Sequence, residues 1–165
     1  MGMRDKVEQQ LLANYENYYR LAYSYVRNEN DAMDIVQESA YKAMKGSSKV
    51  KEEDFISTWI YRIVVNTALD FIRRHKKETL SDYEQEPSYE DTYMDFDVMD
   101  CINRLEDEDK AIIILRFFED QKLEDIAEIT GFNINTVKTR LYRALRKLKI
   151  DLKEYEPKHK EGVVL

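Results

Sequence analysis

Apolar positions along this chain recur mostly in steps of three and four, the spacing that puts side chains on one face of an α-helix. From Asp5 to Arg27 the stripe is Val7, Leu11, Tyr15, Tyr18, Ala22 and Val26, which predicts a single helix. Asn28 to Asp31 is a polar break, with Asn30 or Asp31 placed to cap a second helix. The next stripe, Ala32, Ile35, Val36, Ala40, Ala43 and Met44, predicts that helix over Ala32 to Lys45. After the loop Gly46 to Glu53, Asp54 can cap a longer helix whose inner face is Phe55, Trp59, Ile60, Ile63, Val64, Thr67 and Phe71. Strand-like alternation is scarce, and only four Gly and two Pro interrupt the 165 residues, so the reading is all-α.

The periodicity then fails. Glu78 to Asp97 carries no stripe, contains Pro87 and is strongly acidic, which predicts a flexible linker. Val98, Cys101, Ile102 and Leu105 restore the helical period, and Asp107 can cap a helix to about Phe118 with Ala111, Ile112, Leu115 and Phe118 inward. The chain therefore divides into two small helical domains, 1–76 and 97–155, joined by an acidic linker at 77–96 and followed by a polar tail at 156–165.

The stretch Leu123 to Tyr142 has the residues that two helices crossing at a tight corner need. Ala127 is small enough for close approach, Gly131 can take the positive φ that ends a helix sharply, and Ile126, Val137 and Leu141 supply inner faces. That is a helix-turn-helix, a unit that mostly reads DNA in the major groove. Its second helix is cationic: Asn133 to Ile150 holds six basic residues and no acid. A basic helix alone is as readily a solvated face; with the corner spacing added, Asn135, Thr136 and Thr139 are candidates for base edges, and Lys138, Arg140 and Arg143 for bases or phosphates.

Net charge qualifies this picture. At −7 the chain is no simple nucleic-acid coat, but the charge is segregated: Glu78 to Asp109 has thirteen acids against the single base Arg104. One cysteine, Cys101, allows no internal disulfide and suits a reducing cytosol. With only His75 and His159 beside it, no protein-only zinc site is expected. No uninterrupted apolar run approaches the roughly 20 residues of a membrane span, so an intracellular chain without direct membrane insertion is expected.

Two further patches bear chemistry. Asp34 and Glu38 are like charges one turn apart, mildly unfavourable on a helix; acids near a helix start also complement its dipole. No nucleophile, metal ligand or apolar pocket accompanies them, so catalysis is not read from the pair. Arg62, Asn66 and Arg73 share a polar stripe on the long helix, which ends Arg73, Arg74, His75, Lys76, Lys77. Cations beside an amide and aromatics suit nucleic acid, and cations at a helix end also offset the dipole; Trp59 and Phe71 read better as core.

Three segments, DAMDIVQESAYKAM (Asp31 to Met44), FISTWIYRIVVNTALDFIRR (Phe55 to Arg74) and LRFFEDQKLEDIAEITGFNINTVKTRLYRALRKLK (Leu115 to Lys149), resemble in order and spacing the bacterial RNA polymerase sigma factors of the extracytoplasmic-function group. The resemblance implies sigma region 2 followed by region 4. It places Asp34, Gln37 and Glu38 where region 2 docks on the polymerase clamp helices. Arg62 and Asn66 fall where a flipped base of the melted −10 element is captured, with Arg73, Arg74, Lys76 and Lys77 on adjacent phosphates. Asn135, Thr136, Lys138, Thr139, Arg140 and Arg143 fall where the duplex −35 element is read. In related factors the linker threads toward the RNA exit channel, where the acidic segment would mimic nucleic acid. Thr130 and Leu123 depart from the family, which commonly has an apolar and an aromatic residue there, and the loop Gly46 to Glu53 is divergent.

The implied partners are core RNA polymerase, promoter DNA and an anti-sigma factor, often at the membrane. No cofactor, metal, small-molecule substrate or covalent chemistry is expected. The rival is a free-standing helix-turn-helix regulator, which would need a ligand pocket or palindromic half-site geometry.

Overall fold

A computed structural model describes residues 1–78 and 98–155, the side chains of Lys77, Glu78, Met99 and 152–155 excepted. Residues 79–97 and 156–165, and with them the expectations placed on the rest of the linker, on Phe96 and on the tail, lie outside the described residues. Every described element is helical: α1 (Met3–Ala13), α2 (Tyr15–Val26), α3 (Glu29–Lys45), α4 (Ile56–Glu78), α5 (Val98–Asn103), α6 (Asp107–Ile113), α7 (Leu123–Thr130) and α8 (Ile134–Tyr155), with short 3₁₀ turns at Ser47–Lys49 and Glu53–Phe55.

The first expected helix is two. Asn14 leaves helical geometry at φ −120°, and both its backbone N–H (3.1 Å) and its side-chain amide (3.2 Å) donate to the Gln10 carbonyl. A short amide side chain thus competes for the backbone and breaks the ladder. The cap of α3 also differs from expectation: Asn28, rather than Asn30 or Asp31, accepts from the Asp31 N–H at 2.9 Å, so the helix starts three residues early. The turn at Glu53–Phe55 moves the start of α4 to Ile56 and leaves Phe55 exposed.

Helices α1 to α4 pack around Val7, Tyr18, Leu21, Ile35, Val36, Ile60, Val64 and Ala68. Each buried Val, Ile or Leu contributes roughly 1.5–3 kcal/mol before chain entropy is counted. By length and composition Glu53–Lys76 would pass for a membrane span. It is apolar because it is the central helix of this bundle, with Arg62, Asn66 and Asp70 exposed along its outer side.

Helices α5 to α8 pack around Cys101, Ile102, Ile112, Leu115, Ile126, Ile129, Val137, Leu141 and Leu148. Phe118, expected inward, is 41% exposed, whereas Glu119 is buried. The cause is a π turn over Ile114–Phe118, closed by the Glu119 N–H to the Ile114 carbonyl at 3.0 Å. An i to i+5 turn needs more than four residues to come round, so Glu119 rather than Phe118 returns over Leu115.

The two groups of helices share one continuous core: α7 lies along α4, and α6 against α2.

Candidate polymerase and nucleic-acid interfaces

On α3, Asp34 and Gln37 are exposed. Glu38 is partly exposed and engaged, with Lys42 Nζ at 3.7 Å and Arg74 Nη2 at 3.5 Å. Lys42 in turn donates to the buried Thr67 hydroxyl at 3.1 Å. The candidate polymerase patch and the cationic end of α4 are therefore neighbours joined by an ion pair. Surface pairs of this kind contribute about 0–1 kcal/mol each and exchange readily for an external partner.

On α4, Arg62 and Asn66 stand exposed one turn apart. Arg73 is within 3.4 Å of Asp70. His75 stacks on Phe71 with ring centres 3.9 Å apart, its Nδ1 3.2 Å from the Phe71 carbonyl. Trp59 packs against the turn at Gly46, where an added Cβ would come within 3.3 Å of the indole. Both aromatics are thus spoken for by their own bundle. Lys76 is exposed, and Lys77 lies in the last turn of α4.

The helix-turn-helix is built as its residues require. Gly131 takes φ 83° and its N–H closes on the Ala127 carbonyl at 2.9 Å, a conformation any Cβ disfavours. The Thr130 hydroxyl donates to the Ile126 carbonyl at 2.8 Å and accepts from the Phe132 N–H at 3.4 Å. That is why a polar residue serves at this corner. Asn133 caps α8 by accepting from the Thr136 N–H at 2.8 Å. Asn135, Lys138 and Thr139 are exposed on the first turns of α8, with Thr136 half-buried.

Arg140 and Arg143 are placed differently. Arg140 lies over the Phe132 ring at 5.0 Å and reaches Glu108 at 3.0 Å and Asp109 at 3.1 Å. Arg143 forks onto both oxygens of Asp109, at 3.0 and 2.9 Å. Asp109 is 4% exposed, and a carboxylate so buried needs these cations. Its position in an acidic helix start reads as dipole complement, so sequence alone carries no sign of the pairing.

Between the bundles, Glu119 Oε1 accepts from Arg20 Nη1 at 3.1 Å and Oε2 from the Tyr61 hydroxyl at 3.0 Å. Burial pushes the Glu119 carboxyl above its ordinary range, with Tyr61 and Arg20 pulling it back. Lys110, also buried, lies 3.9 Å from Asp107, and burial lowers its ammonium. Neither residue carried a signal in the sequence.

Known family models match both halves of the chain. Residues 11–78 match the family model for sigma-70 region 2, and residues 95–148 that for sigma-70 region 4. The chain is 51% identical over 141 residues to the RNA polymerase sigma factor SigV of Bacillus subtilis, covering 83% of this chain and 85% of that one. It is 32% identical to the ECF RNA polymerase sigma-E factor of Haemophilus influenzae, with 81% of each covered. Among solved structures, the sigma factor RpoE of Bartonella quintana, in complex with the anti-sigma factor NepR, shares the fold at a TM-score of 0.74 and 24% identity, covering 88% of this chain and 96% of that one.

Proposed function

The chain belongs to the sigma-70 family of RNA polymerase sigma factors, in its extracytoplasmic-function group, and from that premise we propose how its surfaces share the work. It directs core polymerase to start transcription at specific promoters and carries out no covalent chemistry itself. Residues 1–76 act as region 2, 77–96 as linker and 97–155 as region 4.

Asp34, Gln37 and Glu38 bind polymerase, Glu38 exchanging Lys42 and Arg74 for the new partner. Arg62 and Asn66 hold an extruded −10 base, whose unstacking costs a few kcal/mol, and Arg73, Arg74, Lys76 and Lys77 hold the flanking phosphates. Asn135, Thr136, Lys138 and Thr139 face the −35 duplex. Arg140 and Arg143 stay anchored on Asp109 and fix the angle at which α8 meets the duplex. Each module alone binds weakly, and polymerase raises their effective concentration on one promoter. We place the protein in the cytoplasm, where an anti-sigma protein restrains it; RpoE was solved in complex with the anti-sigma factor NepR.

The observation that carries this reading is the exposed Arg62 and Asn66 stripe on the same chain as a Gly131-turned helix-turn-helix. It is tested by transcription in vitro with core polymerase on genomic fragments, with start sites then mapped. Arg62→Ala and Asn66→Ala should each reduce transcript roughly tenfold, the loss of about one charge-assisted or base hydrogen bond, while copurification with core is retained. Transcription indifferent to both would refute the assignment.

A further inference from the structure

Asp34 and Gln37 have an apolar neighbour on the outer side of α3. Met33 directly precedes Asp34 and stands one turn before Gln37, and all three are exposed. Met33 is held in place at the surface: the Tyr15 hydroxyl, at the start of α2, donates to its sulfur at 2.8 Å. Tyr15 is 40% exposed and Met33 39%, so solutes reach the contact from outside. Met3 and Met44, by contrast, are partly buried and pack against the core.

A thioether in such a place is a two-electron reductant. Sulfur has two lone pairs, of which Tyr15 engages one; the other can attack a peroxide oxygen. The S–O bond then forms as the O–O bond breaks. Sulfur is oxidised by two electrons, the peroxide is reduced, and the displaced oxygen takes up the transferred proton and leaves, as water in the case of hydrogen peroxide. A thioether is only a weak hydrogen-bond acceptor, whereas the sulfoxide oxygen is a strong one. The Tyr15 hydroxyl, already directed at this sulfur, can donate to it.

We propose that Met33 is a site of reversible oxidation, converted by peroxides to the sulfoxide, and that this modification weakens the hold of α3 on core polymerase. The second half rests on the polymerase patch of Asp34, Gln37 and Glu38 assigned under the proposed function. A polarizable, flexible thioether adapts to the surface that covers it, while a sulfoxide is polar and chiral and disrupts such contacts. The change adds no charge, so the pairs of Glu38 with Lys42 and Arg74 stay as they are. Because Met33 lies outside the buried core, the bundle beneath keeps its packing and the effect falls on docking alone.

The full chain is treated with hydrogen peroxide, and the gain of an oxygen at each methionine is read by peptide mass. Met33 should be oxidised ahead of Met3 and Met44. Affinity for immobilised core polymerase is measured before and after treatment, each protein being compared with itself. Wild type should weaken about tenfold, the effect of one polar group buried without a full set of partners. Met33→Leu should bind the same before and after treatment, whatever its starting affinity. Reductases for both sulfoxide epimers should restore the wild type, and a chain bound to core before treatment should keep Met33 reduced. Unchanged circular dichroism shows that the treated proteins stay folded. Met33 reacting more slowly than Met3 and Met44 would overturn the site. Equal losses in wild type and Met33→Leu, or full oxidation at Met33 with affinity unchanged, would overturn its effect on docking. A chain oxidised first at Met33 that binds no core polymerase in either state supports the modification site and refutes the functional assignment instead.

Discussion

Removing Asp109 tests whether Arg140 and Arg143 are structural anchors or free DNA readers. The carboxylate is 4% exposed and takes three hydrogen bonds from the two guanidiniums, at 2.9 to 3.1 Å. Taking away one partner of a fully buried pair typically costs 3–5 kcal/mol. Here the loss is smaller, because the Arg140 and Arg143 side chains keep 23% and 50% exposure. Glu108 at 3.0 Å and Glu106 at 4.0 Å also remain for Arg140. Water and those acids take up part of the charge, so Asp109→Ala should destabilise by about 1–2 kcal/mol. For a chain of this length that lowers Tm by roughly 3–6 °C. Asp109→Asn keeps an acceptor and should cost about half as much. Urea unfolding at neutral pH reads both. The same substitutions release two guanidiniums toward phosphates, so the salt dependence of holoenzyme binding to a promoter should steepen by about 1–2 in log–log slope. If Asp109→Ala lies within about 0.5 kcal/mol of wild type and the salt slope does not move, the anchoring argument fails.

Three further outcomes rest on local geometry. At Gly131 an added Cβ meets nothing within 4 Å, so only the φ of 83° matters; Gly131→Ala should cost about 1 kcal/mol in thermal unfolding, strain being partly offset by a stiffer unfolded chain. Asn28→Ala removes the acceptor of the Asp31 N–H and should cost about 1 kcal/mol, with Asn28→Gly milder. For Glu119 the sign is set by a carboxyl raised by burial, faced by Arg20, Tyr61 and Asp120. The folded state binds its proton more tightly than the unfolded one, so this group's contribution is largest below the ordinary carboxylate value. It is lost as pH rises through the raised value. Urea unfolding across that window should show the slope in wild type and lose it in Glu119→Gln; an identical slope in both would remove the assignment.

Much of this protein is dictated by residue spacing alone. Steps of three and four along Ala32 to Met44 and Ile60 to Phe71 mark faces that must be buried, and Gly131 between two such faces marks a corner, because only glycine takes that φ without strain. The Arg62 and Asn66 stripe is equally legible, since positions four apart on a helix share a side whatever packs behind them. These are local properties, set by helix geometry and the need to hide apolar surface.

What the sequence could not decide is which polar groups end up away from water. Asn14 splitting the first helix and Asn28 capping the third turn on hydrogen bonds that compete within a fraction of a kcal/mol, beneath the resolution of a pattern. Glu119 is buried only because a π turn shifts the register after Ile114 and because Arg20 and Tyr61, far off in the chain, arrive to receive it. Asp109 likewise reads as one more acid at a helix start until α8 folds back and lays two arginines on it. Charge pairing across a tertiary contact has no period along the chain, so the folded structure alone decides which of the basic residues face outward and which hold the fold together.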